Sequence, residues 1–446
     1  MNKEALKRRC MEAIDAECEN IKAVGEQIYK NPELGYKEFQ TTQTITEAFQ
    51  TLGMHLETEI AYTGCKAYMD KKDGLTVGVI GELDCVVCAD HKDSNAEGNV
   101  HACGHNVQLA NIYGCAVGLI KSGVWKELAG NVEFIAIPAE ECVDYAYRDG
   151  LIADGKISFY GGKQEYVKRG GFDNIDMVLQ CHMMEMEDTK KACIINTDCN
   201  GFITKTVSFL GEASHAGFAP FEGINALNMA ELALNNIHAQ RETFKDEDKV
   251  RVSAIITKGG ELVNVVPAKV EMQIMVRAFC VEAMIDASEK VNRALKAAAL
   301  ALGGKVEIRE KMGYMPMKTD RNLSALYRQN MIALAGVDEN GFVERYETAG
   351  STDLGDISQM KPCMHIWASG VTGGLHAKEY QVADTDKAYI LPAKMLAATV
   401  IDLLYENAEK AIEIKDNFEP SFTKESYLQF MKEHTGTIYF DGSQKI

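Results

Sequence analysis

The chain has 446 residues, with 47 basic side chains against 65 acidic ones and a formal net charge of −18 at pH 7. Hydrophobic residues at 46% and charged residues at 25% are ordinary globular composition, which excludes a disordered chain, a collagen or a coiled-coil rod. So acidic a balance makes a poor non-specific binder of nucleic acid or of an anionic membrane, since both need a basic face, and leaves only a local basic pocket open. No stretch approaches the roughly 20 apolar residues of a membrane span. The opening MNKEALKRRCMEAIDAECEN lacks the apolar region of a signal peptide. The 13 cysteines are scattered, so a reducing, cytoplasmic setting is expected, with thiols free or bound to metal.

In chain order, Asn2 to Asn31 is charged and helical in period, and Asn31-Pro32 stops it. Tyr36 to Leu52 reads as a second helix ended by Gly53. Short apolar runs follow at Leu75–Ile80, Val132–Ile137, Met177–Leu179 and Met364–Trp367, each ending in polar or glycine-rich sequence. Helical stretches lie among them, including Val107–Ile120, Leu323–Ala335 and Lys387–Tyr405. Buried runs alternating with helices predict an α/β sheet with much parallel character. In such sheets ligands sit beyond the carboxyl ends of the strands. The middle has another rhythm. Strands are predicted at Phe202–Leu210, Val250–Thr257, Val270–Arg277 and Val306–Arg309, with helices at Ala226–Ile237 and Ala283–Leu302. That order, βαββαβ, is the ferredoxin-like pattern. One domain is therefore expected inside another: 1–201 and 314–446 form the first, 202–313 the second. The tail beyond Asp416 is polar and carries little signal.

Polar clusters follow the four apolar runs: Gly81-Glu82-Leu83-Asp84, Pro138-Ala139-Glu140-Glu141, Gln180-Cys181-His182 and Gly373-Gly374-Leu375-His376. A fifth, His101-Ala102-Cys103-Gly104-His105-Asn106, opens a helix. Cysteine, histidine and glutamate are the usual ligands of first-row metals. Cys103 and His105, one residue apart, can both face an ion from a glycine-bent loop. Of two adjacent glutamates, one can bind metal while the other takes a proton from water. The same residues also suit a closed zinc site or hydrogen-bonded turns, and spacing alone leaves these open.

Taken in order, HACGHN, PAEE, QCHMM, GEASHAGFAP, GGELVNVVP, AGSTDLGDIS and GGLHAKEY resemble the peptidase M20 family of aminoacylases and carboxypeptidases. The likeness is to the amidohydrolase branch with aminobenzoyl-glutamate hydrolases and N-acyl amino acid amidohydrolases, and it spans about Ile21 to Leu404. It implies an α/β catalytic domain holding two divalent ions, Zn or Mn with Co or Ni as alternatives, and an inserted lid that forms a homodimer. It implies Cys103, His105, Glu141, His182 and His376 as metal ligands and Glu140 as general base. His215 would polarise the substrate carbonyl, in the partner subunit's site. Asn264 and Arg277 would hold the substrate carboxylate, and Asp84 would orient a ligand histidine. The expected substrate is a small N-acyl amino acid, an aminobenzoyl-glutamate-like conjugate or a dipeptide.

The chain departs from the branch pattern in three places. Asn106-Val107-Gln108 replaces an aspartate and a later histidine, Asp84-Cys85-Val86-Val87-Cys88 replaces Asp-Ala-Leu-Pro, and Glu185 stands where proline is common. Two rival classes use the same residues. One is a thiol hydrolase with Cys103 as nucleophile and His105 or His182 as base. The other is a non-catalytic binding protein of the same fold, against which the retained Glu140-Glu141 pair argues.

Overall fold

Eight strands make one mixed sheet, in the order His55–Ile60, Gly64–Tyr68, Gly130–Ile137, Leu75–Glu82, Met177–Met183, Cys363–Ala368, Cys193–Ile194 and Phe342–Val343. The computed structural model in which they are seen describes residues 2–444. The four central strands are the four apolar runs, and they lie parallel. Near-continuous burial from Thr76 to Glu82 and from Met177 to Met183 is what a parallel strand covered on both faces requires. The antiparallel strands Gly64–Tyr68 and His55–Ile60 extend one side. On the other side Cys193–Ile194 runs antiparallel to Cys363–Ala368.

The helix His105–Lys121 is buried at every residue from His105 to Leu119. A helix without a polar face belongs in the centre of a core. It packs on the strands Leu75–Glu82 and Met177–Met183, with the helices Lys3–Ala16, Cys18–Tyr29 and Leu391–Leu404 around it. Three local outcomes differ from the sequence expectation. The first helix breaks at Glu17. The second begins only at Phe39, because Tyr36 takes a left-handed conformation (φ 62°). The helix expected from Lys387 starts as a π turn over Asp386–Ile390.

The chain divides into two compact units. The larger takes residues up to Asp198, Lys318–Glu347 and Asp356–Ser421. The smaller takes Cys199–Met317, Thr348–Gly355 and the segment from Phe422 onward. Its sheet is antiparallel, in the order Arg251–Lys258, Lys269–Ala278, Gly201–Leu210, Lys305–Met312, Gly436–Asp441. The helices Ala226–Ala239 and Val281–Leu302 pack on it around Val207, Phe209, Met229, Met272 and Leu295. The tail is more ordered than its composition suggests. Thr423 caps the helix Lys424–Glu433 in a capping box, and Gly436–Asp441 adds an outer strand. Among the described residues no single helix is long and apolar enough to cross a membrane.

Candidate active site

The carboxyl ends of the parallel strands of the larger unit carry the polar clusters. Leu75–Glu82 ends in Glu82 and runs on to Asp84, Gly130–Ile137 leads into Ala139-Glu140-Glu141, and Met177–Met183 presents His182. The buried helix supplies His105 at its first position. The residue before it, Gly104, has φ +76°, and a Cβ there would meet the Tyr380 hydroxyl at 2.3 Å. Only glycine makes this bend cheaply, and the bend sets Cys103 and His105 on the same side.

Three groups of metal-donor atoms result, each with its atoms within 4.8 Å of one another: Cys103, His105 and His182; Cys103, Glu141 and His376; Glu82, His105 and Glu140. Cys103 Sγ lies 3.6 Å from His182 Nε2, and His376 Nε2 lies 2.9 Å from Glu141 Oε1. His105 Nδ1 donates to the Asp84 carbonyl at 2.8 Å and lies 3.2 Å from its carboxylate. That bond fixes the tautomer and leaves Nε2 bare for a metal. Asp84 Oδ2 also accepts from Glu141 N at 2.9 Å, so one buried aspartate orients two donors.

Buried His105 Nε2 and Glu141 Oε1 make no hydrogen bond. Each nonetheless lies close to another donor, Glu82 Oε2 at 3.1 Å and His376 Nε2 at 2.9 Å. Donor atoms take this arrangement around a shared cation. The set of one thiol, three imidazoles and carboxylates fits two divalent ions, with Cys103 common to two of the groups.

Burial pushes the Cys103 thiol well above its ordinary range, and the Glu141 charge adds to this. Burial works against a charged His105, but the Cys103 and Glu82 charges and the Asp84 bond outweigh it and raise its pKa. Burial likewise lowers His182 to about 4. It would raise Asp84, but the bond to His105 and its charge prevail and hold Asp84 below the usual carboxylate range. An ion held here would take the place of the thiol proton, as metal ligands must be deprotonated.

Several further residues, none of them among the predicted site residues, support the cluster. Buried Glu38 accepts from Ala139 N at 2.8 Å and holds a residue with φ 55° directly before Glu140. Buried Arg148 donates to the Glu141 carbonyl at 2.5 Å. Glu185 Oε2 accepts from Gly373 N at 3.1 Å, which ties down the loop that carries His376. The His182 ring stacks at 4.2 Å on Trp367, its cross-strand neighbour.

His215, Asn264 and Arg277 belong to the smaller unit. Ala216 N donates to the Asn264 carbonyl, and Val266 N to that of Ser214, both at 3.0 Å, so the His215 and Asn264 loops are paired. His215 is exposed. Its Nδ1 accepts from Phe218 N at 3.0 Å and Gly217 N at 3.2 Å, so the neutral ring carries its proton on Nε2, facing outward. Arg277 Nη1 donates to Ala349 O at 3.0 Å and Ser351 Oγ at 3.1 Å.

The sequence profile of Peptidase family M20/M25/M40 matches residues 78–402. The Xaa-Arg dipeptidase of Mus musculus is 28% identical over 91% of this chain and 90% of its own length. One of the subunits of the p-aminobenzoyl-glutamate hydrolase of Escherichia coli is 24% identical over 89% of this chain and 91% of its own. A dinuclear metal binding peptidase of Bacillus subtilis shares the fold with a TM-score of 0.66 at 18% identity, covering 87% of this chain and 99% of that one.

Proposed function

The chain belongs to peptidase family M20/M25/M40, and from that premise we propose that it cleaves the amide bond of a small dipeptide or N-acyl amino acid. It is a metal-dependent amidohydrolase. The observation that carries the reading is the convergence of Cys103, His105, Glu141, His182 and His376 around shared donor positions, with Glu140 beside them. Two divalent ions held by these ligands would polarise a carbonyl and make water acidic.

The chain's own groups do the rest. Glu140 takes the proton of the attacking water and passes it to the leaving amine. Asp84 keeps His105 in its ligand tautomer. His215, with its outward Nε2–H, donates to the carbonyl oxygen as that oxygen gains charge. Asn264 and Arg277 hold the substrate carboxylate. The smaller unit is a ferredoxin-like lid that brings His215 to the site of a second subunit. Its outermost long strand, Arg251–Lys258, leaves Ile255 60% exposed, as suits a strand paired in a homodimer. Similarity to an Xaa-Arg dipeptidase and the acidic net charge favour dipeptides with a basic residue. Aminobenzoyl-glutamate and other N-acyl amino acids are the next substrates to try. None of the 13 cysteines forms a disulfide, which fits a cytoplasmic setting.

The contact between Cys103 and His182 would suit a thiol nucleophile. Cys103 also belongs to two of the three groups of metal-donor atoms, which favours a ligand role over a nucleophilic one.

The test is hydrolysis by protein stripped with a chelator and then given Zn or Mn. The panel is dipeptides ending in Arg or Lys, N-acyl amino acids, aminobenzoyl-glutamate and β-alanyl dipeptides. Activity should vanish on stripping and return with metal. Glu140→Gln should lose roughly 10²–10⁴-fold in rate while binding both ions. Activity that survives the chelator but dies on thiol alkylation would replace this reading with the cysteine mechanism.

A further inference from the structure

A buried lysine stands behind the donor cluster, and the hydrolysis above does not use it. Lys163 has no exposed surface, and its Nζ lies 2.5 Å from Glu82 Oε1. Gln180 Nε2 donates to the same oxygen at 2.8 Å, and Gln108 Nε2 donates to Oε2 at 2.7 Å. Glu82 is therefore clamped on both oxygens, with Oε2 still 3.1 Å from His105 Nε2, the nitrogen left bare for metal.

The approach of Lys163 is built into the chain. A Cβ on Gly162 would lie 1.6 Å from the Pro138 carbonyl oxygen. Glycine there lets the helix Gly162–Arg169 start against the end of the strand Gly130–Ile137 and brings the next residue to Glu82.

We propose that Lys163 is a positioning residue acting through Glu82, which steadies the acid-rich pocket while it holds no ion and loosens the grip on the ion at His105. The inference rests on the metal-dependent reading. Glu82 is fully buried, and a buried carboxylate without a counter-charge is costly. The ammonium supplies that charge to the metal-free protein. When a dication arrives at His105, the same ammonium opposes it through the short, poorly screened path that Glu82 provides.

The test measures metal binding, not turnover. Full-length protein is stripped, and Zn is titrated in competition with a chromophoric chelator; stripped and loaded samples are also melted. Wild type should bind two equivalents. Lys163→Met should tighten one of them by about tenfold or more, as a repelling charge is removed, and should lower the melting temperature of the stripped protein more than that of the loaded protein. Glu82→Gln, which removes a negative charge beside His105 Nε2 and keeps the ammonium, should weaken one equivalent by about tenfold or more. The double variant should regain the stability of the stripped protein. If Lys163→Met does not fold, Glu82→Gln alone still decides, since wild-type affinity in that variant overturns the proposal. Unchanged affinities in both variants, with equal losses of stability in stripped and loaded samples, reduce the pair to packing. A wild-type protein that takes up no metal overturns the metal-dependent reading together with this one.

Discussion

His365 shows how far a single buried imidazole can make stability depend on pH. Neither of its nitrogens makes a hydrogen bond, and its ring lies 5.3 Å from that of Trp367 and 6.1 Å from that of His182. Burial, aided by the His182 charge, lowers its pKa from 6.5 to about 3. A histidine held neutral in the fold regains its proton only on unfolding. Between pH 6.5 and 3 the unfolded chain therefore binds more protons, and stability falls as the pH is lowered through that window. His365→Gln removes one such proton, worth at most ~1.4 kcal/mol per pH unit. Denaturant unfolding of stripped protein at pH 7, 6, 5.5 and 5 should give a shallower slope for the variant. Parallel slopes would mean that His365 is already charged in the fold or screened by water.

At the scale of elements, the helix Gly162–Arg169 bears on the turn that carries Glu140 through its first residue. Gly162 N donates to the Ala139 carbonyl at 3.2 Å, next to Glu140. Gly162→Ala must push the helix off Pro138, and overpacking of this kind costs about 1–3 kcal/mol. The variant should melt lower and lose metal on dialysis that wild type survives; unchanged metal content and melting would show that the contact yields freely. The site was legible in sequence where its parts are adjacent. Cys103 and His105 share one loop, Glu140 and Glu141 one strand end, and the four central strands are continuous apolar runs. It was illegible where partners are far apart and the signal is a charge balance. Lys163 meets Glu82 across 81 positions, and Glu38 reaches Ala139 across 101. Nothing in either neighbourhood forecasts the pairing. The strand Gly436–Asp441 escaped notice because six residues of mixed polarity count as a strand only when a neighbour such as Lys305–Met312 accepts them.

For the whole molecule, the proposed dimer makes activity a property of two chains. His215→Ala should fold, bind metal and be nearly inactive, and so should Glu140→Gln. A mixed dimer of the two has one site with both an intact Glu140 and a partner's intact His215. Mixing the variants should then restore part of the activity, read in the same hydrolysis assay after subunit exchange is verified by mass. Exchange without recovery would place His215 in service of its own chain's site.

The parallel sheet of the larger unit also sets an order of events at the ribosome. The strand Met177–Met183 pairs on one side with Leu75–Glu82, made long before it, and on the other with Cys363–Ala368, made about 185 residues later. At roughly 5–20 residues per second that strand waits about 10–40 s with one long apolar edge bare, while the smaller unit's first four strands and two helices are being made. Unpaired strand edges of this kind are where nascent chains aggregate. The yield of this protein in a cell is therefore governed as much by what shields that edge during synthesis as by the stability of the finished fold.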